Sequence, residues 1–260
     1  MSKTEPKIIL YDLETLPILS QVMKVFTGLS AYPGLTLKAS INSVICFGYR
    51  EFGVDDKAKC LKAWDFKAWN KDVNNDYDLL VKAREILSEA DAVVTHNGKR
   101  FDQKFFNTRL LINGLKPLHK IPHIDTCQLA KQHLYLFNNR LGTLGEFLAG
   151  DKKMDTGGWS LWEKVMAKEA KSMRLMADYC KQDVDLLCKV FKKLRPFATN
   201  IPNYNLFTDV KRDVCSHCGS TRVNKHGLAY TKTSVRQRYQ CLDCNGTMSS
   251  NIKGKFLRSL

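Results

Sequence analysis

Three short clusters carry acids at spacings that suit metal chemistry. Asp12 and Glu14 close the run KIILYDLE, which reads as a strand over Lys7–Glu14. Side chains two apart on a strand share a face, so these carboxylates repel unless a cation lies between them. Oxygen ligands of this kind suit Mg²⁺ or Mn²⁺; an ordinary solvated strand end is the competing reading. The second cluster is HNGKRFD, His96–Asp102. Here Asp102 reads equally as the N-cap of a following helix, and His96 as a hydrogen-bonded histidine at a strand end rather than a ligand. The third is YCKQDV, Tyr179–Val184. Tyr179 and Asp183 stand four apart and share one helix face, and an acid on the apolar flank of a helix needs a partner.

The other chemistry-bearing residues are thiols. Cys215 and Cys218, then Cys241 and Cys244, form two CxxC pairs with 22 residues between them. Each pair suits a turn offering two thiolates to one tetrahedral zinc ion; two redox pairs are the alternative. Four thiolates close the shell without His217 or His226. The remaining cysteines (46, 60, 127, 180 and 188) are scattered through apolar stretches and read as small buried thiols.

These residues need elements to hold them. Two β-rich runs, Ser43–Phe52 and Lys59–Phe66, predict antiparallel neighbours of the first strand. Asp76 predicts the N-cap of a helix running to about Ala90, with Leu79, Leu80, Ala83, Ile86 and Leu87 at helical spacing. Asp91–His96 predicts a short buried strand. Helices are expected over Asp102–Ile112, stopped by Asn113-Gly114, over Thr126–His133 after a strand at His123–Asp125, and over Thr143–Leu148, Ser160–Ala167 and Lys171–Leu194. Asp151–Gly158 reads as a polar loop. The order predicts an α/β fold with a mixed central sheet flanked by helices. A domain over residues 1–199, a linker over 200–212 and a small zinc-binding unit over 213–260 follow, the last with strands between its cysteine pairs.

Charge narrows the partner. The 260 residues carry 41 Lys and Arg against 26 Asp and Glu, a formal +15. Residues 201–260 hold ten basic against three acidic side chains, so +7 of the excess lies there. Such an imbalance favours nucleic acid, because cations on phosphates release condensed counterions. No basic amphipathic face argues for a membrane surface. No apolar run approaches the roughly 20 residues of a membrane helix, and MSKTEPKIIL lacks a secretory pattern. A cytoplasmic protein of bacterial or phage type is expected.

Taken together, in this order and spacing, the acidic clusters resemble the DEDD superfamily of 3′→5′ exonucleases, with its ribonuclease H-like fold. They are most similar to the proofreading domains of family B DNA polymerases and their bacterial relatives. The resemblance covers roughly residues 7–195: Asp-x-Glu is Asp12–Glu14, Asn-x-x-x-Phe-Asp is Asn97–Asp102, and Tyr-x-x-x-Asp is Tyr179–Asp183. Tyrosine at 179 indicates the tyrosine branch, where other members carry histidine. The resemblance implies two Mg²⁺ or Mn²⁺ ions bound by Asp12, Glu14, Asp102 and Asp183. Asp12 would bridge both ions. Tyr179 would orient the water, and the backbone at Thr15 and Leu16, together with Asn97 and Phe101, would meet the terminal nucleotide. It implies a single-stranded or 3′-ended DNA substrate, with RNA open. The long apolar segment Leu16–Ser40 departs from the pattern, as a wedge, a lid or a core helix.

The cysteine segment resembles zinc ribbons at the N-termini of some insertion-sequence transposases, through Lys225-His226-Gly227 and Arg238-Tyr239-Gln240-Cys241. The implied role is nucleic-acid binding through Lys225, Lys232, Arg236, Arg238 and Tyr239. Two other readings stay open: a ribonuclease H-like endonuclease or transposase-related enzyme, and a non-catalytic nucleic-acid-binding protein with a relic site.

Overall fold

The computed structural model describes residues 5–17, 43–207 and 214–256. Nearly all of the Leu16–Ser40 segment, and the last part of the expected linker, lie outside them. A five-stranded sheet has the order β3-β2-β1-β4-β5. Its strands are β1 (Ile8–Thr15), β2 (Val44–Glu51), β3 (Lys59–Lys62), β4 (Ala92–Thr95) and β5 (His123–Asp125). β1, β2 and β3 are antiparallel neighbours, while β4 and β5 run parallel to β1. The helices are α1 (Lys67–Lys71), α2 (Tyr77–Ser88), α3 (Asp102–Ile112), α4 (Thr126–His133), α5 (Leu141–Leu144), α6 (Ser160–Met166) and α7 (Ala170–Leu194). After α5 the chain widens into a π turn over Gly145–Ala149. This is the mixed sheet flanked by helices that the pattern predicts.

Alternation along β1 explains both cores. Ile9, Tyr11 and Leu13 join one apolar cluster with Leu79, Leu80 and Leu87 of α2. Ile8 and Leu10 join the other, with Val184, Leu187 and Phe191 of α7. Asp12 and Glu14 prolong the Ile8–Leu10 row, so the α7 side of the sheet turns acidic at the strand's end. Gly48 lets α7 lie close there. It pairs with Asp12 across β1 and β2, and a Cβ on it would come within 2.8 Å of Cys180 Sγ and 3.0 Å of the Cys180 carbonyl.

Two expectations change. Asp76 precedes α2, but its carboxylate does not cap the helix. It accepts from Val44 N (2.8 Å) and from Arg109 Nε (3.0 Å) and Nη2 (2.7 Å), a buried charge pair tying α3 to the sheet. The strand expected over Lys59–Phe66 stops at Lys62. A 3₁₀ turn over Ala63–Asp65 then leads to α1, where Trp69 is fully buried.

The C-terminal strands β6 (Val223–Tyr230), β7 (Ser234–Cys241) and β8 (Thr247–Phe256) form an antiparallel meander. The stretch before it is packed. Tyr204 is buried beneath the Arg195 guanidinium, its N–H donates to the Ser216 carbonyl at 3.1 Å, and Arg195 donates to the His217 carbonyl. No helix among the described residues is long and apolar enough to cross a membrane.

Candidate active site

The strand end and α7 bring Asp12, Glu14 and Asp183 together, each offering one carboxylate oxygen within 4.8 Å of the other two. Glu14 and Asp183 are buried, and Asp12 is partly buried. Together they line a cleft of about 670 Å³ that also takes in His96, Asn97, Lys153 and Tyr179. Burial holds all three carboxyls above their ordinary values, joined at Asp12 and Glu14 by repulsion from the neighbouring acids. Burial and then the Asp102 charge push Asp12 up strongly. Burial and then Asp183 push Glu14 up to about 8. Asp183 is raised mainly by burial, against the pull of Lys153.

Asp102 reaches the site from the other side. β1 pairs with β4 only through Leu10, so its later residues leave that edge open. The chain leaving β4 turns at Asn97, in a left-handed conformation (φ 63°) that asparagine tolerates. Gly98 follows at a close approach, since a Cβ there would lie 2.3 Å from Thr95 Oγ1. Asp102 then opens α3 as its first residue, not as its N-cap. Its Oδ1 accepts from Leu13 N at 3.3 Å. Burial raises this carboxyl to about 6, against the backbone bonds it accepts. Asp102 lies outside the 4.8 Å group, beside Asp12.

Tyr179 sits one turn before Asp183 and is buried, edge-on to Trp162. Burial and the Asp183 charge push its phenol well above the ordinary range. Lys153 gave no sign in the sequence, where it lies within a polar loop. Its Nζ stands 2.6 Å from Asp183 Oδ2 and 4.8 Å from the Tyr179 ring centre. The loop is pinned by Asp151, which accepts from Lys189 Nζ at 2.5 Å and whose N–H reaches the Gly145 carbonyl. Asp125 was equally hidden. Its carboxylate caps α4 through Cys127 N and Gln128 N, and also receives Asn97 N and Lys99 N, which fixes the turn before Asp102. His96 is hydrogen-bonded on both nitrogens, to Thr126 Oγ1 and the Asn139 carbonyl, each at 2.9 Å. Burial lowers its pKa to about 4.

The donor set fits divalent ions. Three convergent carboxylates destabilise one another until a cation compensates them. Asp183 Oδ1 is buried with no hydrogen-bond partner among the described residues. Asn97 lines the cleft. Thr15, Leu16 and Phe101 do not: Leu16 is buried in the core with its N–H bonded to the Ser43 carbonyl, and Phe101 is about half exposed, stacked on Phe105.

Elsewhere, the sulfurs of Cys215, Cys218, Cys241 and Cys244 all lie within 4.8 Å of one another. The Cys215–Cys244 and Cys218–Cys241 separations are both 3.6 Å. Tetrahedral zinc with Zn–S bonds of about 2.3 Å would set its sulfurs roughly 3.8 Å apart, so this set fits zinc. Lys225, Lys232, Arg236 and Arg238 are exposed on the meander, and Tyr239 is half-buried.

Residues 35–195 match the family described as the RNase_H superfamily. The chain belongs to the RNase H superfamily. A stretch of 75 residues, 28% of the chain, is 41% identical to the DNA polymerase III PolC-type of Ureaplasma parvum serovar 3 (strain ATCC 700970) and spans 5% of that protein. Over 88% of its length the chain superposes on the family B DNA polymerase of the hyperthermophilic archaeon Pyrobaculum calidifontis, at a TM-score of 0.53 and 13% identity, covering 32% of that chain. At that identity the likeness speaks to the fold alone. As a superfamily member the chain shares a fold whose nucleases work with divalent metal ions.

Proposed function

We propose that this chain is a metal-dependent 3′→5′ exonuclease of the tyrosine-type DEDD branch, acting on DNA or RNA ends. The observation that carries this reading is the convergence of Asp12, Glu14 and Asp183, with Tyr179 one helical turn before Asp183. Asp12, Glu14 and Asp183, with Asp102 beside them, would hold two Mg²⁺ or Mn²⁺ ions; these supply a hydroxide near neutral pH and offset charge on the attacking and leaving oxygens. The chain's own groups do the rest. Tyr179, held protonated by its raised pKa, donates a hydrogen bond that orients the attacking water. Lys153 adds a positive charge beside Asp183. Arg100, Lys131 and Arg140 line the same cleft and attract phosphates. Asn97 lies in reach of the terminal nucleotide.

In this reading residues 1–199 form the nuclease, 200–212 a linker and 213–260 a zinc ribbon that holds one structural ion and grips nucleic acid through Lys225, Lys232, Arg236, Arg238 and Tyr239. Arg236 and Arg238 are two apart on β7, which puts both on one exposed face. Digestion of 3′-labelled and 5′-labelled single-stranded DNA, RNA and duplex, with Mg²⁺, Mn²⁺ or chelator, tests the proposal. Release of the 3′ label as a mononucleotide is expected. Internal fragments would favour the endonuclease reading, and no metal-dependent cleavage would leave only a binding protein.

A further inference from the structure

Between α4 and α5 the chain runs outside helix and strand as a strap, Leu134–Arg140 (LYLFNNR), with extended backbone where it leaves α4 at Leu134 and where it enters α5 at Arg140. From Leu134 to Phe137 its side chains alternate between partly buried and exposed. Leu134 and Leu136 pack on the second core cluster. Tyr135 and Phe137 point out, 103% and 79% exposed, and Phe137 meets the exposed Phe147 edge to face at 6.1 Å. Exposed aromatic rings grouped in this way mark a binding surface rather than a core defect. The strap is fixed to the catalytic cleft: His96 holds its Asn139 carbonyl, and Asn139 and Arg140 form part of the cleft wall. Lys131 and Arg140, both exposed, flank the rings along the chain. Five extended residues span at most about 18 Å, so Tyr135 lies within a short strand's reach of the cleft.

We infer that this strap is a stacking rail for single-stranded nucleic acid. On it, bases a few nucleotides upstream of the scissile bond stack on Tyr135 and on the Phe137–Phe147 pair, while Lys131 and Arg140 meet the backbone phosphates. Outward rings interleaved with cations are the chemistry that grips a single strand without reading its sequence. A protein partner would match the rings, but it would leave the two flanking cations and the continuity with the phosphate-attracting cleft without a role. The inference rests on the nuclease reading, and it deepens that reading by placing the strand beyond the terminal nucleotide.

Fluorescence anisotropy of the full chain tests it, using labelled oligo-dT and oligo-U of two, four, eight and twelve nucleotides with Ca²⁺ in place of Mg²⁺. For the wild type, affinity should climb with length beyond four nucleotides. In Tyr135→Ala/Phe137→Ala the climb should vanish, weakening octamer binding roughly tenfold to a hundredfold. Tyr135→Trp/Phe137→Ala should restore much of it, with indole fluorescence quenched by the bound oligonucleotide. Unchanged octamer affinity in the double variant, no rescue by tryptophan, or no length dependence in the wild type would each overturn the rail, as would a ring-dependent dimer that binds no strand. Because the readout is binding, a failure of the exonuclease reading shows separately, as absent 3′ cleavage by a wild type that still binds with length dependence. The dT and U arms separate DNA from RNA.

Discussion

Glu14→Gln should make the metal-free protein more stable, the opposite of what an ordinary buried acid would do. Glu14 is 8% exposed, and burial, then Asp183, push its carboxyl from 4.5 to about 8. A carboxyl raised on folding binds its proton more tightly in the folded chain, so folded stability falls as pH climbs from 4.5 and the loss is complete above about 8. At pH 7 the shift corresponds to a penalty of about 3 kcal/mol as a ceiling. Asp12 and Asp183 share the same repulsion, so about 1–3 kcal/mol is expected in practice. The glutamine amide copies the protonated shape and never ionises. After dialysis against magnesium-free buffer, urea unfolding should give nearly equal stabilities for wild type and Glu14→Gln at about pH 4, below the unfolded value. At pH 8 the variant should be stabler by about 1–3 kcal/mol. Added Mn²⁺ should reverse the order, because it binds the folded wild type and removes the penalty. A variant that is less stable at pH 8 without metal, or an equal Mn²⁺ response from both proteins, would refute the reasoning.

Further outcomes follow from the same geometry. Tyr179→Phe should lower kcat about tenfold to a hundredfold without moving the pH–rate profile, since the phenol acts as a donor; a complete loss with a shifted profile would assign it proton transfer. Lys153→Met should tighten Mn²⁺ binding about five- to tenfold in calorimetry, because the ammonium competes for the Asp183 carboxylate; weaker binding would remove Lys153 as a competitor. Elemental analysis should find one zinc per chain. Stripping it should abolish hydrogen-exchange protection in 214–256 and spare β1–β5, because so small a sheet draws much of its folding energy from the metal; retained protection would argue against a structural ion.

Much of this arrangement was legible locally. The apolar run ending in Asp12 and Glu14, the turn at Asn97-Gly98 and the i, i+4 pair Tyr179–Asp183 each follow from a single segment's periodicity. So do α3 (Asp102–Ile112), β5 and α4, whose bounds match the expectation. What stayed hidden depends on contacts between distant segments. Asp76 looked like a helix cap, yet its partner Arg109 lies 33 residues away. Lys153 lies in a loop with no periodicity, and distant contacts, Asp151 with Lys189 and Gly145 and the Lys152 carbonyl with Gln182, hold that loop beside Asp183. Asp125 reads as the end of a strand, and nothing nearby announces that it caps α4 and also orders the turn before Asp102. Gly48 looks like a flaw in a strand until α7 is laid across it.

The exonuclease reading is tested most directly with a linear single strand and a covalently closed circle of the same sequence, incubated with Mn²⁺ and wild type, Asp12→Ala or Asp183→Asn. The wild type should shorten the 5′-labelled linear strand stepwise from its 3′ end and leave the circle intact, and both variants, still folded, should leave both substrates uncut. Cutting of the circle by the wild type alone would make this same carboxylate site an endonuclease, and full activity in either variant would remove the site from catalysis altogether.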